Sequence, residues 1–224
     1  MTAGAGRDVQ AMGPGQLLIV DDHPVVLQGF RQLAEAAGIA VLHEARDVVS
    51  GYRSFHKHRP GLVVTDLGFG DDGLSGLSLI RRVRALEPAT RILAFSMHDD
   101  PVIVSRALES GALGYVLKDA RGPDFVEALT RVRAGEVYLD HRLATEVAML
   151  NAGARPAPLA RLNARELQIL SLLSRGRSYD SIADSLSLSY RTVVNAGSSM
   201  RRKLGAGSLA ELIQIALAHD DVSS

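Results

Sequence analysis

Between Leu17 and Ala134 the chain repeats one pattern five times: a short apolar run followed by a helix-length amphipathic stretch. The apolar runs are Leu17 to Val20, Ile39 to His43, Leu62 to Val64, Ile92 to Phe95 and Tyr115 to Leu117. Runs this short, with no polar alternation, suit strands buried on both faces of a parallel sheet. The stretches between them predict helices over Val25 to Ala37, Val48 to His58, Leu74 to Leu86, Pro101 to Ser110 and Pro123 to Ala134. A parallel strand is reached only by a crossover, and a helix is the usual crossover. The expected fold is therefore an α/β domain with a doubly wound five-stranded parallel sheet of the flavodoxin-like kind. Such sheets bind ligands outside the carboxyl ends of their strands, so chemistry is sought there.

After Ala134 the pattern changes. Val137 to Leu159 is looser, with a possible helix over His141 to Leu150 and a Gly/Pro-containing linker from Asn151 to Pro158. The rest is helical. Asn163 and Glu166 have capping-box spacing before Leu167 to Leu170, and Gly176 is a stop signal. Ser178 to Leu186 reads as a short helix, Ser187 to Ser189 as a turn, Tyr190 to Leu204 as a longer helix ended by Gly205, and Leu209 to Ala218 as a last helix. A short helix, a tight turn and a longer helix form a helix-turn-helix arrangement within a small all-α four-helix domain. The expected organisation is a disordered tail over 1–15, an α/β domain over 16–136, a linker over 137–158 and the helical domain over 159–220.

Asp21 and Asp22 follow the first apolar run and Asp66 follows the third, so the carboxylates converge at one sheet edge. Clustered carboxylates repel unless a cation neutralises them, and hard oxygen ligands with room for water suit Mg²⁺. Ser96 ends the fourth run and Lys118 the fifth, placing a hydroxyl and an ammonium at the same edge. Taken singly, each has a plainer reading: an Asp-Asp pair after a strand is often a turn or cap, and Lys118-Asp119 is ordinary loop charge. Together they make a set for phosphoryl transfer to a carboxylate.

Composition narrows the partners. Lys+Arg and Asp+Glu number 25 each, which argues against a chain that coats nucleic acid along its whole length. The charge is uneven, however: Arg161 to Lys203 holds eight basic residues against Glu166, Asp180 and Asp184. That balance fits a polyanion partner for the second domain. The chain contains no cysteine, which removes thiolate chemistry and Cys-based zinc sites. No apolar run reaches membrane-spanning length, and the Gly/Ala-rich start lacks a signal-peptide core. A soluble cytoplasmic protein with no membrane partner is expected.

Several motifs carry a family resemblance. Leu18 to Pro24, Val64 to Leu67, Ala94 to Ser96 and Gly111 to Lys118 resemble the receiver domain of two-component response regulators. Leu162 to Glu166 through Lys203 to Gly205 resembles the LuxR-type helix-turn-helix, and the two together resemble the NarL/FixJ class. The resemblance implies that Asp66 accepts a phosphoryl group from a sensor histidine kinase. It implies Mg²⁺ held by Asp21, Asp22, Asp66 and the carbonyl of Gly68, with Lys118 on the phosphoryl oxygens and Ser96 and Tyr115 as the switch pair. It further implies homodimerisation on phosphorylation and control of promoter DNA, not an enzyme activity on a separate substrate. In the Tyr190 to Leu204 helix, Val193, Met200 and Leu204 share one buried face by their spacing, and Arg191, Asn195, Ser198, Ser199 and Arg202 lie largely opposite. The family's base-contacting positions fall on Val194, Asn195 and Ser198; Thr192 and Lys203 complete the expected DNA-contact set.

The chain departs from the family at three places. The loop Gly68 to Gly76 is two residues longer and adds Asp71 and Asp72 beside the anionic pocket. Met97 stands where a small residue is usual, and Val194 and Gly197 replace a lysine and an aliphatic residue in the third helix. A mid-helix glycine costs about 1 kcal/mol relative to alanine. Val194, Ala196 and Gly197 keep open a competing reading, a regulator whose C-terminal domain binds a protein partner in place of DNA. A third reading, an Asp-dependent phosphatase, lacks any clear substrate lid.

Overall fold

A computed structural model describes residues 13–36, 38–70, 73–154 and 157–220 of the chain. Five parallel strands, β1 (Gly13–Val20), β2 (Val41–Ala45), β3 (Pro60–Thr65), β4 (Arg91–Ser96) and β5 (Gly114–Leu117), form one sheet in the order β2-β1-β3-β4-β5. Helices α1 (Pro24–Ala36), α2 (Val48–His58), α3 (Gly76–Leu86), α4 (Pro101–Ser110) and α5 (Gly122–Ala134) make the crossovers. One sheet face buries Leu17, Ile19, Val64 and Leu93 against Phe30 of α1 and Phe125 and Leu129 of α5. The other buries Leu18, Val20, Val63 and Ile92 against Phe55, Leu79, Ile80 and Val104 of α2, α3 and α4. Burial on both faces is why these runs carry no polar alternation.

Of the boundaries that differ from those expected from sequence, three have a clear physical reason. Strand β1 begins at Gly13, so 13–15 belong to the sheet; the remainder of the expected tail lies outside the described residues. Strand β2 starts at Val41 because register with β1 pairs Gln16 with Val41 and Val20 with Ala45, while the Ile39 amide instead closes α1 on the Ala34 carbonyl. Helix α3 starts at Gly76, not Leu74. A side chain at Gly76 would collide with the Asp66 carbonyl and come within 2.7 Å of Leu67 Cα, so only glycine lets α3 pass this close under the third strand's end.

Beyond the sheet, Tyr138 adds a single parallel bridge to Gly114, and α6 (His141–Asn151) follows, N-capped by Asp140. A 3-10 turn over Pro158–Arg161 leads into α7 (Ala164–Ser174), α8 (Tyr179–Leu186), α9 (Tyr190–Leu204) and α10 (Leu209–Asp220). The core of this helical unit is Leu167, Leu170, Ile182, Val193, Met200 and Leu212. Asn163 and Glu166 form the expected capping box, and Gly205 in the left-handed region (φ 73°) ends α9.

The two units are packed together. Ser78 of α3 donates to Gln168 of α7 at 3.0 Å, with Gln168 fully buried. Arg106 of α4 donates from Nε to the Leu162 carbonyl at 2.8 Å and from its fork to the Ala160 carbonyl. Arg175 at the end of α7 donates to the Gly70 carbonyl, and Gly73 leaves room for Ser171 and Leu172.

Candidate functional site

The carboxyl ends of β1, β3, β4 and β5 deliver Asp21, Asp22, Asp66, Ser96 and Lys118 to one pocket, because each residue stands at or just past a strand end. Lys118 Nζ lies 2.5 Å from Asp66 Oδ2 and 2.8 Å from Asp21 Oδ2, with all three side chains buried. The second oxygen of Asp66 accepts from the Leu67 amide at 2.6 Å and the Gly68 amide at 3.1 Å. Asp66 is thus fixed at both oxygens. Burial pushes its pKa above the ordinary carboxylate value, Lys118 opposes that, and the Asp21 charge adds to it. Burial pulls Lys118 down, but its bonds to Asp21 and Asp66 outweigh this and hold its pKa above the ordinary lysine value.

Two carboxylate oxygens of the pocket are left short. Among the described residues, Asp21 Oδ2 has only the ion-pair contact with Lys118, without a directed hydrogen bond, and the buried Asp22 Oδ1 has no hydrogen-bond donor other than the adjacent His23 ring at 2.9 Å. Asp21, Asp22, His23 and Asp66 offer ligand atoms within 4.8 Å of one another. Buried carboxylate oxygens lacking donors are what a hard divalent cation would complete, so the donor set fits a metal ion.

Ser96 and Tyr115 are fully buried beside this pocket. The Lys118 amide donates to the Ser96 carbonyl at 2.9 Å, and the Ser96 hydroxyl accepts from the His98 amide at 3.3 Å. The Tyr115 hydroxyl donates to the His98 carbonyl at 2.6 Å, and burial drives its pKa well above the ordinary tyrosine value. The aromatic side chain is therefore already inside the fold. Met97, between these groups, is 69% exposed and lines an interdomain cavity of about 600 Å³ with Val102 and Leu170. Asp71 and Asp72 lie outside the described residues.

On the second unit, α9 turns Arg191, Thr192, Asn195, Ser198 and Arg202 outward, while Val193, Gly197 and Met200 are buried and Val194 is half-buried. The Thr192 hydroxyl is shared with the N-capping Ser189 at 2.7 Å. Ser199 and Lys203 point elsewhere. Both bond the buried Glu166 carboxylate, at 2.9 Å and 2.6 Å, while Glu166 also accepts from the Asn163 amide. Burial raises the Glu166 pKa, but those three partners outweigh it and hold it low. Glu166 is thus a joint between α7 and α9 that the capping-box spacing alone did not reveal. Glu166→Ala is expected to destabilise the helical unit by about 1–3 kcal/mol, the cost of a lost cap and orphaned donors. Chemical denaturation followed by circular dichroism measures it.

The glycine anomaly has a packing cause. A methyl on Gly197 would collide with the Tyr179 hydroxyl and approach its Cζ to 3.1 Å. Tyr179 of α8 fills the space that an aliphatic residue would take, and its ring meets Tyr190 edge-to-face at 6.4 Å. Tyr179 was not among the residues expected to matter; only the oddity of Gly197 hinted at it.

Comparison with known proteins decides the family. Residues 17–130 match the model for the response regulator receiver domain, and residues 160–216 match that for bacterial regulatory proteins of the luxR family. The chain belongs to the response-regulator family. It is similar to the methanol utilization control regulatory protein MoxX of Paracoccus denitrificans, 40% identical over 200 residues covering 89% of this chain and 90% of MoxX. It is similar to the transcriptional activator protein ExaE of Pseudomonas putida, 35% identical over 205 residues covering 90% of this chain and 95% of ExaE. Among solved structures it resembles RcsB of Salmonella enterica serovar Typhimurium bound to promoter rprA in the presence of the phosphomimetic BeF3⁻. That likeness has a TM-score of 0.70 at 26% identity, over 89% of this chain and 96% of RcsB.

This response regulator is a phosphorylation-dependent, DNA-binding transcriptional regulator. The reading in which the C-terminal domain exchanges DNA for a protein partner is corrected: a luxR-family domain and a DNA-bound structural relative support DNA. The substitutions at Val194 and Gly197 that suggested it are a half-buried position and a packing swap with Tyr179. Among the described residues no helix is long and apolar enough to cross a membrane.

Proposed function

We propose that Asp66 is the phosphoacceptor, fed by a sensor histidine kinase, and that phosphorylation promotes a homodimer that reads promoter DNA through α9. The observation that carries this is the buried Asp66 fixed between the Leu67 and Gly68 amides on one oxygen and Lys118 on the other. In the reaction an Asp66 oxygen forms the new O–P bond as the P–N bond to the donor imidazole breaks, and that nitrogen takes up a proton. Asp21, Asp22 and Asp66, with the Gly68 carbonyl, would hold Mg²⁺, which supplies charge neutralisation at the phosphoryl oxygens when bound. Lys118 sits where it can leave its carboxylates for the arriving phosphoryl group. Ser96 and Tyr115, joined through the His98 backbone, adjoin α4 and form the switch pair. The proposed units are the receiver over 16–136, the linker with α6 over 137–158 and the DNA-binding domain over 159–220.

In the DNA-binding unit, Arg191, Thr192, Val194, Asn195, Ser198 and Arg202 form the proposed contact surface. Ser199 and Lys203 reach DNA only by releasing Glu166. Asn195→Ala is expected to cost about 1–3 kcal/mol on the preferred site and to relax the choice of base at one position. Arg202→Ala is expected to weaken all sequences alike and to lower the slope of log Kd against log salt by about 1. Titration of both variants against matched and scrambled duplexes tests the assignment. Equal loss on both duplexes for Asn195→Ala would remove it from base reading.

A further inference from the structure

The seam between the receiver and the DNA-binding unit gathers guanidinium groups, two of which no carboxylate among the described residues pairs with. Arg81 and Arg82 lie on α3, and Arg165 opens α7 opposite them. Arg81 donates to the Ser78 hydroxyl at 3.3 Å and Arg165 to Gln168 Oε1 at 3.4 Å; Ser78 and Gln168 are the buried pair that joins the two units. Neither arginine forms an ion pair among the described residues. The nearby carboxylates are taken: Glu109 by Arg106 and Glu166 by Lys203. Arg81 and Arg165 are half-buried, and each has its pKa lowered by burial and by repulsion, from Arg82 in the first case and from Arg81 and Arg82 in the second.

A cavity of about 330 Å³ opens beside this cluster, lined by Arg81, Arg106, Arg161, Asn163 and Lys203 with Glu109. Arg161 donates to the Lys203 carbonyl at 3.1 Å, which ties this wall of the cavity to the carboxyl end of α9. Two half-buried guanidinium groups bonded to the two members of one buried Ser78–Gln168 pair are unfavourable neighbours unless an anion joins them. A guanidinium fork matches the spacing of phosphate oxygens and binds them in pairs. We propose that Arg81 and Arg161 on the cavity wall, with Arg165 and Arg82 beside it, form a binding site for phosphate oxyanions on this seam.

Because the site is built from both units, its ligand binds the docked arrangement and stabilises it. The phosphate has two sources, the backbone of DNA running past the end of α9 or a free polyphosphate. The test uses the full chain and the double variant Arg81→Gln/Arg165→Gln, in chelator to keep the acidic pocket free of metal. In the first arm, inorganic pyrophosphate is compared with sodium chloride at matched ionic strength in thermal unfolding. A free-ligand site raises the wild-type midpoint by about 3 °C near saturation and leaves the variant unmoved. In the second arm, Kd for a duplex from the protein's own promoter is measured across salt. A backbone site makes the variant's log–log slope shallower by about 1–2. Either difference supports the site and names its source. Wild type and variant behaving alike in both arms would overturn it. The second arm rests on the function proposed above; a chain that binds no duplex sinks that function, and the pyrophosphate arm then decides the site alone.

Discussion

Asp66→Asn is expected to abolish phosphoryl uptake. With a small phosphodonor and Mg²⁺, the wild-type chain gains one phosphoryl group in intact-protein mass spectrometry, and the variant falls by at least about a hundredfold. The size of the effect follows from the pocket. Asp66 is the carboxylate held on both oxygens, by the Leu67 and Gly68 amides and by Lys118. Asn keeps the shape and the amide-accepting oxygen but loses the anionic nucleophile. Asp21 and Asp22, the proposed metal ligands, are unchanged, so the loss reports the acceptor and not a collapsed pocket. Asp21 is paired with Lys118 and Asp22 accepts from the Gly70 amide at 2.7 Å, and neither is oriented as Asp66 is, with one oxygen held by two backbone amides and the other by Lys118. Uptake retained by Asp66→Asn would move the phosphoacceptor elsewhere.

Gly197→Val is expected to cut DNA affinity at least about tenfold and to destabilise the helical unit by about 1–3 kcal/mol through overpacking. Valine would ordinarily help at a mid-helix position, since glycine is the poorer helix former. The expected sign is reversed because the hydroxyl end of Tyr179 occupies the space. Tyr179→Ala in the same chain should therefore recover most of the loss, giving a strong coupling between two residues on adjacent helices. Fluorescence anisotropy on a promoter duplex and urea denaturation read the two effects. If Gly197→Val is harmless, or if Tyr179→Ala worsens it, the packing swap is wrong.

Much of this molecule was legible before any coordinates. The five strands announce themselves because both sheet faces are buried, and the pocket residues follow because each stands at a strand end. The capping box at Asn163 and Glu166 was equally plain, since its signal is local. What stayed hidden depends on distant partners. The start of β2 is set by register against Gln16, not by its own apolar content. Gly76 reads as one more loop glycine until the Asp66 carbonyl is seen beside it. Ser199 and Lys203 look like DNA contacts by helical position, yet Glu166, 33 and 37 residues away, holds both. The docking of Ser78 on Gln168 spans 90 residues and has no sequence signature at all.

Regulation by phosphorylation requires coupling between the Asp66 pocket and the α9 surface. The direct measurement is the Kd of the full chain for a duplex from its own promoter, with and without the phosphoryl mimic beryllium trifluoride in Mg²⁺. Phosphorylation-controlled binding predicts that the mimic tightens the wild-type Kd by at least about tenfold, a coupling of about 1.4 kcal/mol. It predicts no change for Asp66→Asn. An unchanged wild-type Kd, or equal tightening in Asp66→Asn, would contradict it.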